Sequence, residues 1–354
     1  MLHGALRAGH LPQLRLTRAR RDKILGVRAL VPLVLSCLAL AGCQADPVAR
    51  EPRPPTVVGP EPAPAYDATG EPAQAVLSLV PQSADTLTVT DWDAIRAQLG
   101  QPDLTSEDLV TDRVRFWERA DAEAALLTEG ILREEGSRLE LDYGFTQDDV
   151  DWEAHWTGAG GPGFAIAMRP DLDLAGVRRA VADGVGPLEG AVVLAADHLI
   201  VAGTADEDVW AGEDRWEALV DEPATATYLE RGCTPLNEAL GPDADADDQA
   251  ALLAEHPVTT LDELPGFAVA YGDHTATVRV EPGRADLFER LRLGEDWPVP
   301  PFPQEYVNGA ADPASGRIGY AVPRPPRAAS LALLGELPFA TCPKVVPFED
   351  PTGL

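Results

Sequence analysis

Apolar positions along the chain fall into short runs separated by Gly, Pro and Asp. Period-two alternation is clearest in Asp149–Thr157, where Val150, Trp152, Ala154 and Trp156 point one way and Asp149, Asp151, Glu153, His155 and Thr157 the other. This pattern predicts a half-buried antiparallel strand with the tryptophans on its core face. Gly158–Gly163 predicts a turn into a second strand over Phe164–Met168. Helical spacing follows: Leu174, Val177 and Val181 align behind a capping Asp173, and Gly184 ends the run. Two short apolar runs, Ala191–Ala195 and Leu199–Ala202, joined at Asp197-His198, predict another hairpin.

The same order recurs further on. Phe267–Tyr271 and Thr275–Val280 flank a Gly272-Asp273 turn; Ala285–Leu293 reads as a helix stopped by Gly294. Tyr306–Ala311 and Gly316–Val322 read as a second hairpin, and Ala328–Leu337 as a final helix. Upstream, Thr86–Thr90 predicts a strand. Asp91 is placed to cap a helix carrying Trp92, Ile95 and Leu99 on one face, with Gly100 as its stop. Thr105 with Asp108 resembles a capping box, and Asp112–Leu127 reads as helix. The expected fold class is α+β: a mainly antiparallel sheet with helices, in two loosely related hairpin–helix–hairpin halves. The halves are placed at residues 75–222 and 223–354, as separate units or one continuous domain. Their kinship lies in element order rather than in residues.

The N-terminus breaks this pattern. Residues 1–28 hold Arg7, Arg15, Arg18, Arg20, Arg21, Lys23 and Arg28 against a single acid, Asp22. An apolar run, Ala29–Leu40, follows and ends at Ala41-Gly42-Cys43. A basic n-region, a short h-region and small residues at its end have the character of an export signal. The run is too short to span a bilayer, which takes about 20 residues, and Pro32 interrupts it. The length of the basic region suggests a start downstream of Met1. From Gln44 to Ala73 prolines dominate and no aliphatic period survives, so an extended tether is expected.

Leu40-Ala41-Gly42-Cys43 resembles the lipobox of bacterial lipoproteins. With the Pro-rich tether and a Tyr143-Gly-Phe145…Asp149-Val-Asp-Trp152 stretch, the chain resembles lipoproteins of high-GC Gram-positive bacteria. That resemblance brings no known activity with it. It implies a lipoprotein signal peptide over 1–42 and a tether over 43–74. It also implies a diacylglycerol thioether on Cys43, attachment to the membrane through that lipid, and an extracytoplasmic location.

The whole chain has a formal net charge of −30. Removing residues 1–42, with seven basic residues and one acidic, leaves −36 and a single lysine, Lys344. Such a surface argues against nucleic acid as a partner, which calls for clustered Lys and Arg, and against docking on anionic lipid. With Cys37 in the signal and Cys43 acylated, Cys233 and Cys342 are the thiols left, and export favours a disulfide between them. The alternative, a catalytic thiol, would need a His nearby in sequence, and neither Cys has one.

Other motifs resolve into structural features. Gly158-Ala-Gly-Gly-Pro-Gly163 fits G-x-G-x-x-G, but a strand follows where a dinucleotide site needs a helix. Asp243–Asp248 resembles the start of a calcium loop. It has Asp248 where Gly is required and Ala254 where Glu is required, so a helix start is expected instead. His155, His198, His256 and His274 stand apart, with no zinc spacing. Lys344 has Thr341 three residues before it, so Ser-x-x-Lys is absent beyond the signal, as is G-x-S-x-G. No cofactor, metal or catalytic residue is expected.

The favoured function is therefore non-enzymatic: a lipid-anchored protein binding or scaffolding an envelope component. One alternative is an envelope hydrolase using carboxylates such as Asp151 or Glu153. Another is a small-ligand carrier with a pocket between the two halves.

Overall fold

The short apolar and alternating runs become the strands of one ten-stranded sheet. The computed structural model describes residues 65–203, 208–242 and 244–348. The expected signal peptide, Cys43 and most of the expected tether lie outside the described residues, as does Asp243. The strands are β1 (Ala84–Asp91), β2 (Val150–Gly158), β3 (Gly163–Met168), β4 (Val192–Leu194), β5 (Leu199–Ala202), β6 (Ala226–Arg231), β7 (Gly266–Gly272), β8 (Thr275–Arg279), β9 (Val307–Asp312) and β10 (Arg317–Ala321). Their order across the sheet is β4-β5-β3-β2-β1-β6-β7-β8-β10-β9, and every neighbouring pair is antiparallel. The longer helices are α1 (Trp92–Gln98), α2 (Val110–Glu123), α3 (Ala175–Ala182), α4 (Asp214–Leu219), α5 (Ala246–Glu255), α6 (Leu287–Glu295) and α7 (Pro325–Leu334). The class is α+β, mainly antiparallel sheet with helices.

The sheet has an internal symmetry of connection. From the centre outward, the first half runs β1, β2, β3, β5, β4, and the second runs β6, β7, β8, β10, β9. The halves meet where β1 pairs with β6, Leu87 opposite Leu229 and Thr88 opposite Tyr228. Strand β6 has no counterpart in the sequence reading. Ala226, Thr227, Tyr228 and Leu229 are all buried, so the strand shows no alternation to find it by.

Local chemistry fixes the boundaries. Asp91 Oδ1 accepts the Ala94 amide at 2.8 Å, capping α1, and Gly100 leaves the helix at φ +73°. Thr105 and Asp108 bond to each other but close a turn; α2 starts after Leu109. Asp173 accepts the Ala175 amide at the start of α3. His198 and His274 sit at the β4–β5 and β7–β8 turns with φ of +53° and +54°, the left-handed backbone that tight hairpins demand. At α5 the cap is Asp245, joined reciprocally by Asp248, so the acidic stretch serves a helix start. The predicted tether end is shorter than expected: Ala73 and Ala75 are buried in a helical turn, and the Tyr66 ring lies 6.4 Å from Trp152.

The first half has three layers. Ala165, Ala167, Leu199 and Val201 pack with Trp152, Trp156, Val76, Leu77 and the stacked pair Trp210–Trp216. The alternate residues Ile166, Met168 and Ile200 pack instead with Trp92, Ile95, Phe116 and Val177. Both faces of β2 are therefore covered. The expected solvent face of that strand is a correction: Glu153 has no exposed surface at all. One face of the second half is covered where Phe267, Val269, Val278 and Ile318 meet Leu287, Ala328 and Phe339, and on its other face Ala268 packs with Leu229 and Trp216. Among the described residues, no helix is long and apolar enough to cross a membrane.

Candidate functional site

Strand β2 sends its polar residues to two places. Glu153 lies under a segment that runs from Leu127 to Leu132 across the middle of the sheet. The Ile131 amide donates to both Glu153 oxygens, at 3.2 and 3.1 Å, and Gln147 Nε2 donates to Oε2 at 2.9 Å. Gln147 Oε1 accepts the Leu132 amide at 3.0 Å. Thr90 Oγ1 on β1 accepts the amides of Leu127 and Thr128. The segment bends at Gly130, φ +81°, where a Cβ would collide with the Arg133 and Gln147 side chains. His155 Nε2 is 3.0 Å from Glu153 Oε1 but outside hydrogen-bond alignment.

This segment forms one wall of a groove whose other wall is α7. A chamber of about 720 Å³ is lined by Thr128, Glu129, Glu134, His155, Pro187 and Leu333, among others. An adjoining chamber of about 480 Å³ shares Leu127, Glu129 and Leu333 and adds Arg133, Pro326 and Ser330. The groove thus lies between elements of the first half and α7 of the second.

Asp151 faces a separate cleft of about 330 Å³ with Tyr66, Asp91, Asp93, Trp152 and His198. The sheet and α1 build it: Asp91 ends β1, Asp93 opens α1, and Asp151 lies beside them on β2. Burial, with the neighbouring Asp93 charge, pushes Asp151 up to about 7, against the pull of Arg96. Burial also pushes Asp91 up to about 6, although its cap bond to Ala94 opposes this. The Tyr66 hydroxyl is raised to about 12 by burial and by Asp197. Buried Arg96 donates to the carbonyls of Asp148 and Val150 and pairs with Asp93, with Asp151 at 3.9 Å. A carboxyl that keeps its proton near neutrality can deliver it to a leaving group.

Cys233 and Cys342 are joined by a disulfide, Cα atoms 5.0 Å apart. Backbone bonds frame it: the Thr234 amide donates to Ala340 O, and the Cys342 amide to Thr234 O. Trp152 and Trp156 are core residues, and Gly158–Gly163 spans the β2–β3 turn. Of the two carboxylates proposed from sequence, Asp151 lines the cleft beside Tyr66, whereas Glu153 is enclosed beneath the Leu127–Leu132 segment and lines neither chamber. Thr128, Glu129, Glu134 and Tyr66 escaped the sequence reading, and only Asp91's capping role was visible in it. Among the described residues, no group of three or more His, Cys, Asp or Glu is placed to hold a metal ion.

Compared with known proteins, the chain matches no family model, no curated protein and no solved structure.

Proposed function

We propose that this chain is a lipoprotein tethered through Cys43 on the outer face of the cytoplasmic membrane, whose folded part binds an envelope component. The observation that carries this reading is Leu40-Ala-Gly-Cys43 at the end of an apolar run, followed at once by a proline-rich stretch. The Cys233–Cys342 bridge supports it, because such bonds persist in oxidising compartments. The groove between the two halves is where the binding role is placed. Labelling with a radioactive or clickable palmitate analogue, followed by membrane fractionation, tests the anchor. Wild type is expected in the membrane fraction with label, and Cys43→Ser without label. Equal labelling of both would overturn it. Crosslinking in intact envelopes tests the binding role.

A second reading is favoured by one specific observation, the raised carboxyls of Asp91 and Asp151 in a cleft beside Tyr66. In that reading the domain is an envelope hydrolase with Asp151 as proton donor. Turnover that survives Asp151→Asn unchanged would remove it.

A further inference from the structure

One wall of the cleft beside Asp151 is a strap, Tyr66–Glu71, that is lightly fastened to the sheet. Tyr66 is half-buried against Trp152, ring centroids 6.4 Å apart, and its hydroxyl accepts from the Trp152 indole. Asp67, Ala68 and Thr69 are exposed. Asp67 Oδ1 accepts the Thr69 amide and hydroxyl, and the Gly70 amide donates to Asp67 O. These groups are thus satisfied within the strap rather than by the sheet, and Tyr66 is its chief fastening ahead of the buried Ala73.

The cleft beneath is crowded with like charge. Asp91 ends β1, Asp93 opens α1, Asp151 lies on β2 and Asp197 stands in the β4–β5 turn. The strap adds Asp67, which acts on Tyr66, and Glu71, which acts on Asp91. Buried Arg96 answers Asp93 and Asp151, while Arg169, just after β3, is paired with Asp149 and Asp171. His198 also lines the rim. Asp151 and Asp93 lie within side-chain hydrogen-bond reach of each other. A contact between two carboxyls holds only while one of them carries a proton.

We infer that Tyr66–Glu71 is a pH-released strap, seated while Asp93 and Asp151 share a proton and lifted from the cleft when both are ionised. The inference rests on neither the lipid anchor nor any turnover. Burial, with the Asp93 charge, raises Asp151 to about 7, and burial raises Asp91 to about 6. Lifting the strap admits the water that lets both ionise. The seated state therefore holds its protons more tightly than the lifted one. Low pH favours seating, and release follows as pH rises through 6 and 7, by up to about tenfold per pH unit for each group. Release opens the cleft and adds six residues, roughly 20 Å when extended, to the expected tether.

The test is hydrogen exchange of the full chain in detergent, read by mass spectrometry and corrected for the intrinsic effect of pH. The Gln74 and Ala75 amides, both bonded to Glu71 O, and the Gly70 amide report on the strap. Between pH 5.5 and 8, peptides over 66–76 are expected to lose protection at least tenfold while β7 keeps its own. Asp151→Asn, equal in shape and uncharged, is expected to hold the strap seated at pH 8. Tyr66→Ala is expected to leave it unprotected at both pH values. His198→Asn, which suits the left-handed turn, is expected to change nothing. The inference is overturned if wild-type protection over 66–76 is the same at both pH values or if β7 loses protection in parallel. It is equally overturned if Asp151→Asn releases like wild type, if Tyr66→Ala stays protected, or if His198→Asn abolishes the transition. The wild-type profile stands by itself should a variant fail to fold.

Discussion

Arg290 and Asp286 form a buried ion pair, Nε to Oδ2 at 2.8 Å, one turn apart at the start of α6. Arg290 has no exposed surface, and its remaining donors reach Asp262 O, Phe339 O and Thr341 O. Arg284 bonds the same carboxylate from the other side, at 3.0 and 2.9 Å. Burial pushes the Asp286 carboxyl up, but the two guanidinium groups outweigh it and hold the group below its usual range. The pair thereby ties α6 to the segment that carries Cys342. Asp286→Ala strands two buried cations and is expected to cost about 3–5 kcal/mol. Arg290→Met, which removes the charge and keeps the bulk, is expected to cost less. Urea unfolding of both variants checks the order.

The disulfide makes a separate prediction. Its cysteines are 109 residues apart, and closing so long a loop in the unfolded chain is worth roughly 4–5 kcal/mol at most. Reduction, or Cys233→Ala with Cys342→Ala, should lower the urea midpoint. Identical midpoints for oxidised and reduced protein would contradict a bridge that constrains the unfolded state.

Asp151 and Asp91 predict how stability follows pH. Their folded values, about 7 and about 6, lie above the unfolded carboxyl value of roughly 3.9. The folded state therefore holds extra protons in between. Their contribution is complete below about pH 4 and is lost as pH rises through 6 and 7. Asp151→Asn should flatten that decline. Asp151 keeps some contact with solvent, so the gain at pH 8 is discounted to on the order of 1–2 kcal/mol. Melting temperatures from pH 4 to 8 for both proteins provide the comparison.

Glu153 is expected to govern the order of the segment above it. Glu153→Ala removes the acceptor for the Ile131 amide and for Gln147 Nε2. Each stranded donor costs roughly 1–3 kcal/mol. Hydrogen exchange should quicken at Ile131 and Leu132 more than in β7 or β8. A uniform acceleration would mean that Glu153 supports the whole sheet rather than this wall of the groove.

What was legible in the sequence was what local chemistry decides. The hairpin turns at Asp197-His198 and Gly272-Asp273, the Asp91 cap and the tryptophan face of β2 are properties of neighbouring residues, and each appears in the structure. Two polar cysteine-flanking stretches gave no hint of geometry, yet the limited choice of thiols was enough to pair Cys233 with Cys342. Strand β6 was hidden because both its faces are buried. Glu153 looked like a surface acid because alternation registers which face a residue occupies, not what covers that face. The groove was illegible for the same reason: Thr128 and Leu333 are brought to it by tertiary packing, with about 200 residues between them.

The junction of β1 with β6 also sets an order of events in folding. Thr88 lies opposite Tyr228, 140 positions later in the chain. The β2–β3 and β7–β8 hairpins need only short loops to close and can form within microseconds. The central ladder must wait for a far costlier closure. The folding rate is therefore expected to respond most to substitutions along Leu87, Val89 and Leu229, while the outer strands β4 and β9 chiefly change the rate of unfolding.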